Sequence, residues 1–302
     1  MNSADMTLTA AQQKAQENRN TIFVEDGAVI GVETFPGDQF VMRLRAPKCA
    51  AAAKPGTFVH LTCDESLPMR RPLSIMRVGE DWVDVLYKIV GPGLRLLSQK
   101  KEGDTLSVLG PIGQPFHMSA DKPQTLLIGG GVGIPPMVYI ADWLRQDDAD
   151  WKPLAILGSE IPFPFPLLAS KLETPWLDDD ISSTMPLLES WGVTCRLATL
   201  AGFDGCFDGY VTDLAERWLS GLDEAALAEV EIFACGPTPM LKAVADLAAR
   251  YDLPCQVSLE EYMACAVGGC AGCAVRIRTP DGDAMKRVCV DGPVFEASTV
   301  VW

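Results

Sequence analysis

Histidine is almost missing from this chain. His60 and His117 are the only two among 302 residues, which leaves hydrolases built on a Ser-His pair, and histidine-rich metal sites, little to work with. Basic residues are scarce as well. Lys and Arg number 25 against 40 Asp and Glu, a formal net charge of −15, which argues against nucleic acid and anionic membrane surfaces as partners and suits a basic or neutral protein surface better. No apolar run reaches the roughly 18 residues of a membrane span, and residues 1–20 are polar, without the apolar stretch of a secretory signal. A soluble, cytoplasmic protein is expected. The usual dinucleotide signature G-x-G-x-x-G does not occur in its strict form either.

Cysteine, by contrast, is plentiful and unevenly placed. Four of the ten cysteines, Cys265, Cys270, Cys273 and Cys289, fall at C-x4-C-x2-C-x15-C spacing. Three thiolates on one short loop can converge on a small inorganic core, and a fourth from a later segment can close the set. The first three match the plant-type [2Fe-2S] run, with a shorter gap to the fourth. Between them stand Ala266, Gly268, Gly269, Ala271 and Gly272, small residues that let the backbone wrap closely and aim N–H groups at sulfur. A structural zinc and a disulfide pair are the alternatives; zinc favours paired short spacings, and disulfides need an oxidising compartment. The six remaining cysteines recur at no fixed spacing, as expected of small buried apolar residues in a reducing compartment.

The length suits two or three domains. From Thr21 to Phe116 short β-runs at Ile22–Val24, Phe40–Leu44, Phe58–Leu61, Leu73–Val78, Val83–Ile89 and Leu106–Leu109 are punctuated by Gly, Pro and Asp, which predicts a small antiparallel barrel. Arg71-Pro72-Leu73-Ser74 opens one strand, and Tyr87-Lys88-Ile89-Val90-Gly91-Pro92-Gly93 leads into a short helix at Leu94–Gln99. Arg71 offers a bidentate fork and the glycines offer close-approaching N–H groups, a combination that suits a phosphate; an ordinary strand end with a solvated arginine is the alternative. After Asp121 the texture changes to alternating strands and helices. Thr125–Ile128 runs into Gly129-Gly130-Gly131-Val132-Gly133-Ile134-Pro135-Pro136 and a helix at Met137–Arg145. Strand, glycines and helix together predict a pyrophosphate site at a helix start. Further strands are expected at Lys152–Leu157 and Val193–Leu200, with a Pro-rich, aromatic and acidic excursion at Ile161–Leu188 between them. Val230–Ala234 then enters Cys235-Gly236-Pro237 and a helix to Arg250. In an open parallel sheet both turns would lie at the carboxyl edge, where ligands bind; Cys235 as a plain core cysteine is the alternative.

In this order, the Arg71–Ser74, Gly129–Gly133 and Cys235–Pro237 motifs followed by the four cysteines resemble the ferredoxin-reductase superfamily. More narrowly, Ser258-Leu259-Glu260-Glu261-Tyr262-Met263-Ala264-Cys265 and Cys289-Val290-Asp291-Gly292-Pro293-Val294-Phe295 resemble the electron-transfer subunits of class 1B dihydroorotate dehydrogenases, over about Thr21 to Trp302. The resemblance implies a multidomain α/β plus all-β chain. Its parts are a polar leader at 1–20, an antiparallel FAD-binding β-barrel at 21–120, a parallel-sheet NAD-binding α/β domain at 121–255 and a small [2Fe-2S] domain at 256–302. It places FAD on Arg71, Pro72, Leu73, Ser74, Tyr87, Lys88, Ile89, Gly93 and Leu94, NAD on Gly129, Gly130, Gly131, Val132, Gly133, Cys235, Gly236 and Pro237, and the [2Fe-2S] cluster on Cys265, Cys270, Cys273 and Cys289. The family usually has Gly-Thr where Gly93-Leu94 stands, so a hydroxyl to the flavin phosphate is lost while the amides remain. The absence of Arg and Lys from Gly158-Ser159-Glu160 leans to NADH over NADPH.

The function so implied is an oxidoreductase subunit of pyrimidine biosynthesis. Electrons from the flavin of a separate FMN-containing catalytic subunit would cross the cluster and FAD to NAD+, and no residue of this chain is expected to act as a catalytic base. The competing enzyme is a subunit of another NAD(P)H-dependent flavin and iron–sulfur oxidoreductase, such as a ferredoxin:NADP reductase or sulfide dehydrogenase component; those relatives imply an aspartate among the cluster ligands, where this chain has Cys265. A zinc-stabilised structural module is the non-enzyme alternative.

Overall fold

A computed structural model describes residues 21–302; the polar leader expected at 1–20 lies outside the described residues. The chain first builds a closed barrel. β1 (Phe23–Phe35) and β2 (Gln39–Arg45) form a hairpin, α1 (Pro47–Ala52) follows, then β3 (Phe58–Leu61), β4 (Arg71–Val78), β5 (Trp82–Lys88), α2 (Pro92–Leu97) and β6 (Thr105–Ile112). Going round the barrel, the strand order is β1-β2-β5-β4-β3-β6. β1 is far longer than the Ile22–Val24 run expected from the sequence, because Gly27 and Gly31 interrupt its apolar alternation. Gly27 is there for space, since a Cβ on it would meet Val108 Cγ2 at 2.6 Å. A register shift between Val29 and Gly31 lets the first half of β1 pair with β6 and the second with β2. Along β5, Val83, Val85 and Tyr87 join the barrel core while Leu86 packs outward on a second core, the alternation of a strand with two different faces. α1 and α2 add Cys49, Ala50, Leu94 and Leu97 to the barrel core.

The second body opens with β7 (Gln124–Gly130), a single 3-10 turn at Gly131–Gly133 and α3 (Ile134–Leu144). β8 (Leu154–Gly158) follows. The excursion after β8 is not featureless: it pairs β9 (Leu168–Ala169) with β10 (Ser183–Thr184) before α4 (Pro186–Ser190). Then come β11 (Thr194–Thr199), β12 (Phe207–Asp208), α5 (Val211–Leu219), α6 (Glu224–Ala228), β13 (Val230–Cys235), α7 (Thr238–Arg250) and β14 (Cys255–Ser258). The chain ends with a hairpin of β15 (Ala274–Thr279) and β16 (Gly282–Arg287), and with β17 (Val294–Glu296). One seven-stranded sheet, ordered β12-β11-β8-β7-β13-β14-β17, gathers all but the two small hairpins. Its pairings are parallel except β14 with β17. β8 and β13 are buried along their whole lengths, as parallel strands with both faces covered must be.

The two bodies are welded together. α3 packs between the sheet and β4, and Tyr139 Oη donates to the carbonyl of Ala53 at 3.0 Å. The connecting strand of chain is pinned by one side chain: Gln256 accepts from the His117 N–H at 3.0 Å, donates to the His117 carbonyl at 2.6 Å and donates to Glu231 Oε1 at 3.0 Å. Burial pushes the Glu231 carboxyl above its ordinary pKa. Among the described residues no helix is long and apolar enough to cross a membrane.

Candidate cofactor sites

Two neighbouring arginines at the mouth of the barrel have different duties. Arg70 spans β3 and β6, donating from Nη1 to the carbonyls of His60 and Ser107 at 3.0 and 2.8 Å and from Nη2 to Ser107 Oγ at 2.8 Å. Arg71 uses Nη1 on the nearby carbonyls of Met69 and Arg70 and lays its guanidinium along the first turn of α2. A Cβ on Gly93 would stand 2.9 Å from Arg71 Nε, so glycine is what allows the fork to lie there. Pro72 and Ser74 pair with His60 and Phe58 on the outer face of the barrel, whereas Leu73 points into its core.

Several expected flavin residues turn inward. Tyr87 stacks on Phe40 with ring centroids 5.3 Å apart, is 1% exposed, and its hydroxyl has no hydrogen-bond partner; burial pushes its pKa well up. Leu94 is buried in the barrel core, which explains why it carries no hydroxyl: it is a plug. Leu73, Tyr87 and Leu94 can therefore meet a ligand outside the barrel through their backbone only. The Ile89 N–H donates to the Asp38 carbonyl at 3.0 Å, and Lys88 closes β5 opposite Gln39. His60, which the motifs did not flag, is fully buried with both ring nitrogens unpartnered, and burial followed by Arg70 holds its pKa down at about 4.

The two strand-to-helix turns of the sheet meet backbone to backbone. Cys235 pairs with Gly129, and a Cβ on Gly133 would overlap the Cys235 carbonyl. Gly131 takes a φ of 55°, the left-handed region open to glycine. Gly130 and Gly236 both leave room for Met240 at the start of α7, and Val132 is partly exposed beside them. Pro237 precedes α7 as its N-cap residue. Cys235 is fully buried and pairs with Ser258 on β14. Burial and then the Glu260 carboxylate raise its thiol well above the ordinary value. Glu260 itself has an exposed residue surface, yet burial of its carboxyl raises its pKa. Ser258 and Glu260 lie outside the expected cofactor-binding motifs. Their signal is positional: both stand at the carboxyl end of β14, the edge where parallel sheets bind ligands.

At the C-terminal end the four cysteines form two pairs. Cys273 and Cys289 are buried, with sulfurs 3.4 Å apart, too far for a disulfide at about 2.05 Å; all ten cysteines are free. Cys265 and Cys270 make the outer pair. The Val267 N–H, then the Cys270 thiol and the N–H groups of Cys270 and Gly269, pull the Cys265 pKa down to about 7. Burial and the hydrogen bond with Cys273 push Cys289 up to about 12. The Gly272 N–H donates to Cys270 Sγ at 3.4 Å. The loop reaches this shape with Ala266, Gly268 and Ala271 at φ of 55°, 81° and 54°, and Arg287 ties it down by donating to the Gly268 carbonyl at 3.0 Å. Among the described residues no three such side chains close on a single metal ion. Two thiol pairs with amides turned toward sulfur are the donor set that a two-iron cluster takes, two cysteines to each iron.

Residues 260–301 match the iron-sulfur cluster binding domain of dihydroorotate dehydrogenase B. The chain is 34% identical over 248 residues to the dihydroorotate dehydrogenase B (NAD(+)) electron transfer subunit of Caldanaerobacter subterraneus subsp. tengcongensis, covering 82% of this chain and 87% of that one. It is 31% identical over 283 residues to the same subunit of Desulforamulus reducens, covering 92% and 98%. Among solved structures it superposes on that of an NADH-dependent reduced ferredoxin-NADP oxidoreductase with a TM-score of 0.73, at 26% identity over 92% of this chain and 90% of the other. A ferredoxin reductase of carbazole 1,9a-dioxygenase shares the fold at 24% identity and a TM-score of 0.57, over 77% and 67%.

Proposed function

The chain belongs to the family of dihydroorotate dehydrogenase B electron transfer subunits, and on that premise we propose that it carries electrons from a flavin-containing catalytic subunit to NAD+ in pyrimidine biosynthesis. Bound together, an iron–sulfur centre that passes single electrons, FAD and a nicotinamide that takes a hydride convert one-electron into two-electron traffic. The residues of this chain hold and orient those groups. Cys265, Cys270, Cys273 and Cys289 supply the thiolates for the cluster, and the loop amides at Val267, Gly269 and Gly272 stabilise negative charge on sulfur. Arg71 takes the flavin phosphate beside Gly93. Pro72 and Ser74 offer side chains on the outer face of the barrel, and the segment around Leu73, Tyr87–Ile89 and Leu94 offers backbone. Gly129–Gly133 and Cys235-Gly236-Pro237 receive the dinucleotide from two sides of one cleft, where Ser258 and Glu260 add a hydroxyl and a carboxyl.

The observation that supports this assignment most is the pairing of the four thiols on a chain whose other two bodies form a barrel and a parallel sheet. The partner is an FMN-containing dihydroorotate dehydrogenase catalytic subunit, which supplies the base and the second flavin for dihydroorotate. A cytoplasmic location fits ten free cysteines. The test is to purify the chain without its partner. It should contain FAD, iron and sulfide, oxidise NADH with artificial acceptors and fail to oxidise dihydroorotate. Dihydroorotate-dependent NAD+ reduction by the isolated chain would overturn the assignment. A second reading, a ferredoxin:NADP reductase or sulfide dehydrogenase component, draws on the fold shared with the NADH-dependent ferredoxin-NADP oxidoreductase. It would be favoured if the catalytic subunit gave no dihydroorotate-dependent NAD+ reduction with this chain while reduced ferredoxin did.

A further inference from the structure

Where the barrel meets the second body, arginines and tryptophans interleave. Arg43 lies over the Trp82 ring at 3.7 Å to its centroid, Arg77 lies over Trp82 at 5.5 Å and over Trp191 at 5.6 Å, and Arg145 lies over Trp191 at 4.7 Å. Arg43, Arg77 and Trp82 belong to β2, β4 and β5 of the barrel. Arg145 is the C-cap residue of α3, and Trp191 is the C-cap residue of α4 at the end of the excursion. The row therefore crosses from one body to the other at the step from Arg77 to Trp191.

The carboxylates nearby are already committed. Asp84, 2% exposed, takes the Arg43 fork at 2.7 and 2.8 Å, and Arg77 Nη1 comes no closer to it than 4.0 Å. Asp142 pairs with Arg145 at 2.6 Å. Arg77 Nε is buried without a hydrogen-bond partner. Besides that long ion pair, what the Arg77 guanidinium has is two indoles, which attract a cation through their faces. A guanidinium laid on an indole is a stack of rigid planes, and its thickness is fixed in a way that flexible aliphatic side chains cannot match.

The row also stands at the far end of two struts. β4 begins at Arg71, beside the flavin phosphate site, and ends at Val78; α3 begins at Ile134, directly after the Gly131–Gly133 turn, and ends at Leu144. The two pack against each other. Each carries a cofactor site at its first residues and a member of the row at its last. Hydride transfer moves two electrons and one proton together between nicotinamide and flavin. It needs the reacting atoms about 3–3.5 Å apart, and a misplacement of about 1 Å caused far from the chemistry can cost on the order of a hundredfold.

We propose that the row Arg43, Trp82, Arg77, Trp191 and Arg145 sets the flavin-bearing barrel against the nucleotide-bearing sheet for hydride transfer, with Arg77 and Trp191 as its positioning residues. The inference rests on the FAD and NAD sites assigned above, to neither of which these side chains belong. It gives the excursion a duty, which is to deliver Trp191 to the barrel.

The test uses the full chain loaded with FAD and cluster. Trp191→Leu keeps an apolar side chain but removes the ring, Arg77→Lys keeps the charge but removes the plane, and Trp191→Phe returns a ring face as the rescue. In the first two variants flavin reduction at saturating NADH, followed by rapid mixing, should slow about tenfold while FAD content and the NADH dissociation constant stay within about twofold. The isotope effect with NADH deuterated at the transferred position should rise, and Trp191→Phe should recover most of the rate. Amide hydrogen exchange, which needs no turnover, should quicken at residues 71–78 and 134–145 in the two slow variants. An unchanged rate of flavin reduction in both, even with a lower melting temperature, would reduce the row to ordinary packing and overturn the inference. So would a loss that falls on FAD content or NADH affinity instead of the rate, or unchanged exchange along β4 and α3. A wild-type chain that holds no FAD, or whose flavin NADH does not reduce, would instead overturn the cofactor sites themselves.

Discussion

The mouth of the barrel and the cysteine loop handle their ligands in opposite ways. In the loop the side chains are the chemistry: the sulfurs stand in two pairs, Cys273 with Cys289 and Cys265 with Cys270, and the alanines and glycines between them let the backbone wrap closely. At the barrel, three of the nine motif residues turn away. Leu73, Tyr87 and Leu94 are core side chains, so what they offer outward is backbone placed by the packing behind it. The lesson is that a motif residue can be required for its shape on one side of a strand so that its amide is correct on the other.

Substitutions can break that contrast, and the largest effect is expected in the loop. Cys270→Ser should empty the cluster site and loosen residues 260–293, because ligand binding is folding energy there, while FAD stays bound. Iron and sulfide analysis with a visible spectrum checks this, and full cluster occupancy in the variant would remove Cys270 from the ligand set. Next in size is Gly133→Ala. Its Cβ would overlap the Cys235 carbonyl, so the two turns must part, at a stability cost of about 1–3 kcal/mol typical of overpacking; thermal unfolding and the NADH dissociation constant should both record it.

At the barrel, Arg71→Ala should weaken FAD binding by about 1.5–3 kcal/mol, the scale of a charge-assisted hydrogen bond. Arg70→Ala should instead lower barrel stability by uncoupling β3 from β6, with FAD affinity much less changed. FAD release from Arg70→Ala alone would show that the two duties are assigned to the wrong arginines. Tyr87→Phe sharpens the same point: it removes a buried hydroxyl that has no partner, so stability should hold or rise by up to about 1 kcal/mol and FAD should remain. Loss of FAD there would mean that the hydroxyl, and not the backbone, is the contact.

The smallest effect is a pH dependence. Burial raises the Glu231 carboxyl above its unfolded value, so the folded chain holds its proton more tightly than the unfolded one. That contribution to stability is full below the unfolded pKa of about 4.3 and is lost as pH rises through the raised folded value. Glu231→Gln should therefore gain on the wild type as pH climbs from about 4 toward neutrality. Parallel urea titrations at acid and neutral pH measure the difference, and a constant offset between the two proteins would exclude Glu231 as its source.

What could be read in the sequence followed the same division. The cysteine spacing and the strand–glycine–helix turn declare their chemistry in residue type; the structure sets Cys273 beside Cys289 and the glycine turn beside Cys235. The fold of the barrel was legible from its short β-runs, but the length of β1 was hidden by glycines that serve close packing. α1 was hidden too, because Pro47-Lys48-Cys49-Ala50-Ala51-Ala52 has no amphipathic period to betray a helix. Glu260 carries its meaning in position alone, past the end of a strand whose place in the sheet is set by residues far away. An apolar cavity lined by Phe35, Phe163, Phe165 and Phe203 is the extreme case: its walls come from three separate stretches, and no one of them suggests a pocket.

The cysteine loop also has a point of attachment that matters. Ser258 at the end of β14 pairs with Val294 at the start of β17, so residues 259–293 leave the sheet and return to it at neighbouring positions on one edge. Such a segment is a detachable cassette: a tight turn from β14 to β17 would close the sheet without it and leave a two-body flavin reductase with no port for single electrons. The cassette is nonetheless joined to the rest of the chain, because Ala266, Cys273 and Cys289 belong to the same buried core as Phe58 and Ile112 of the barrel. Transplanting it into another reductase of this fold would therefore mean carrying those two barrel positions along with it.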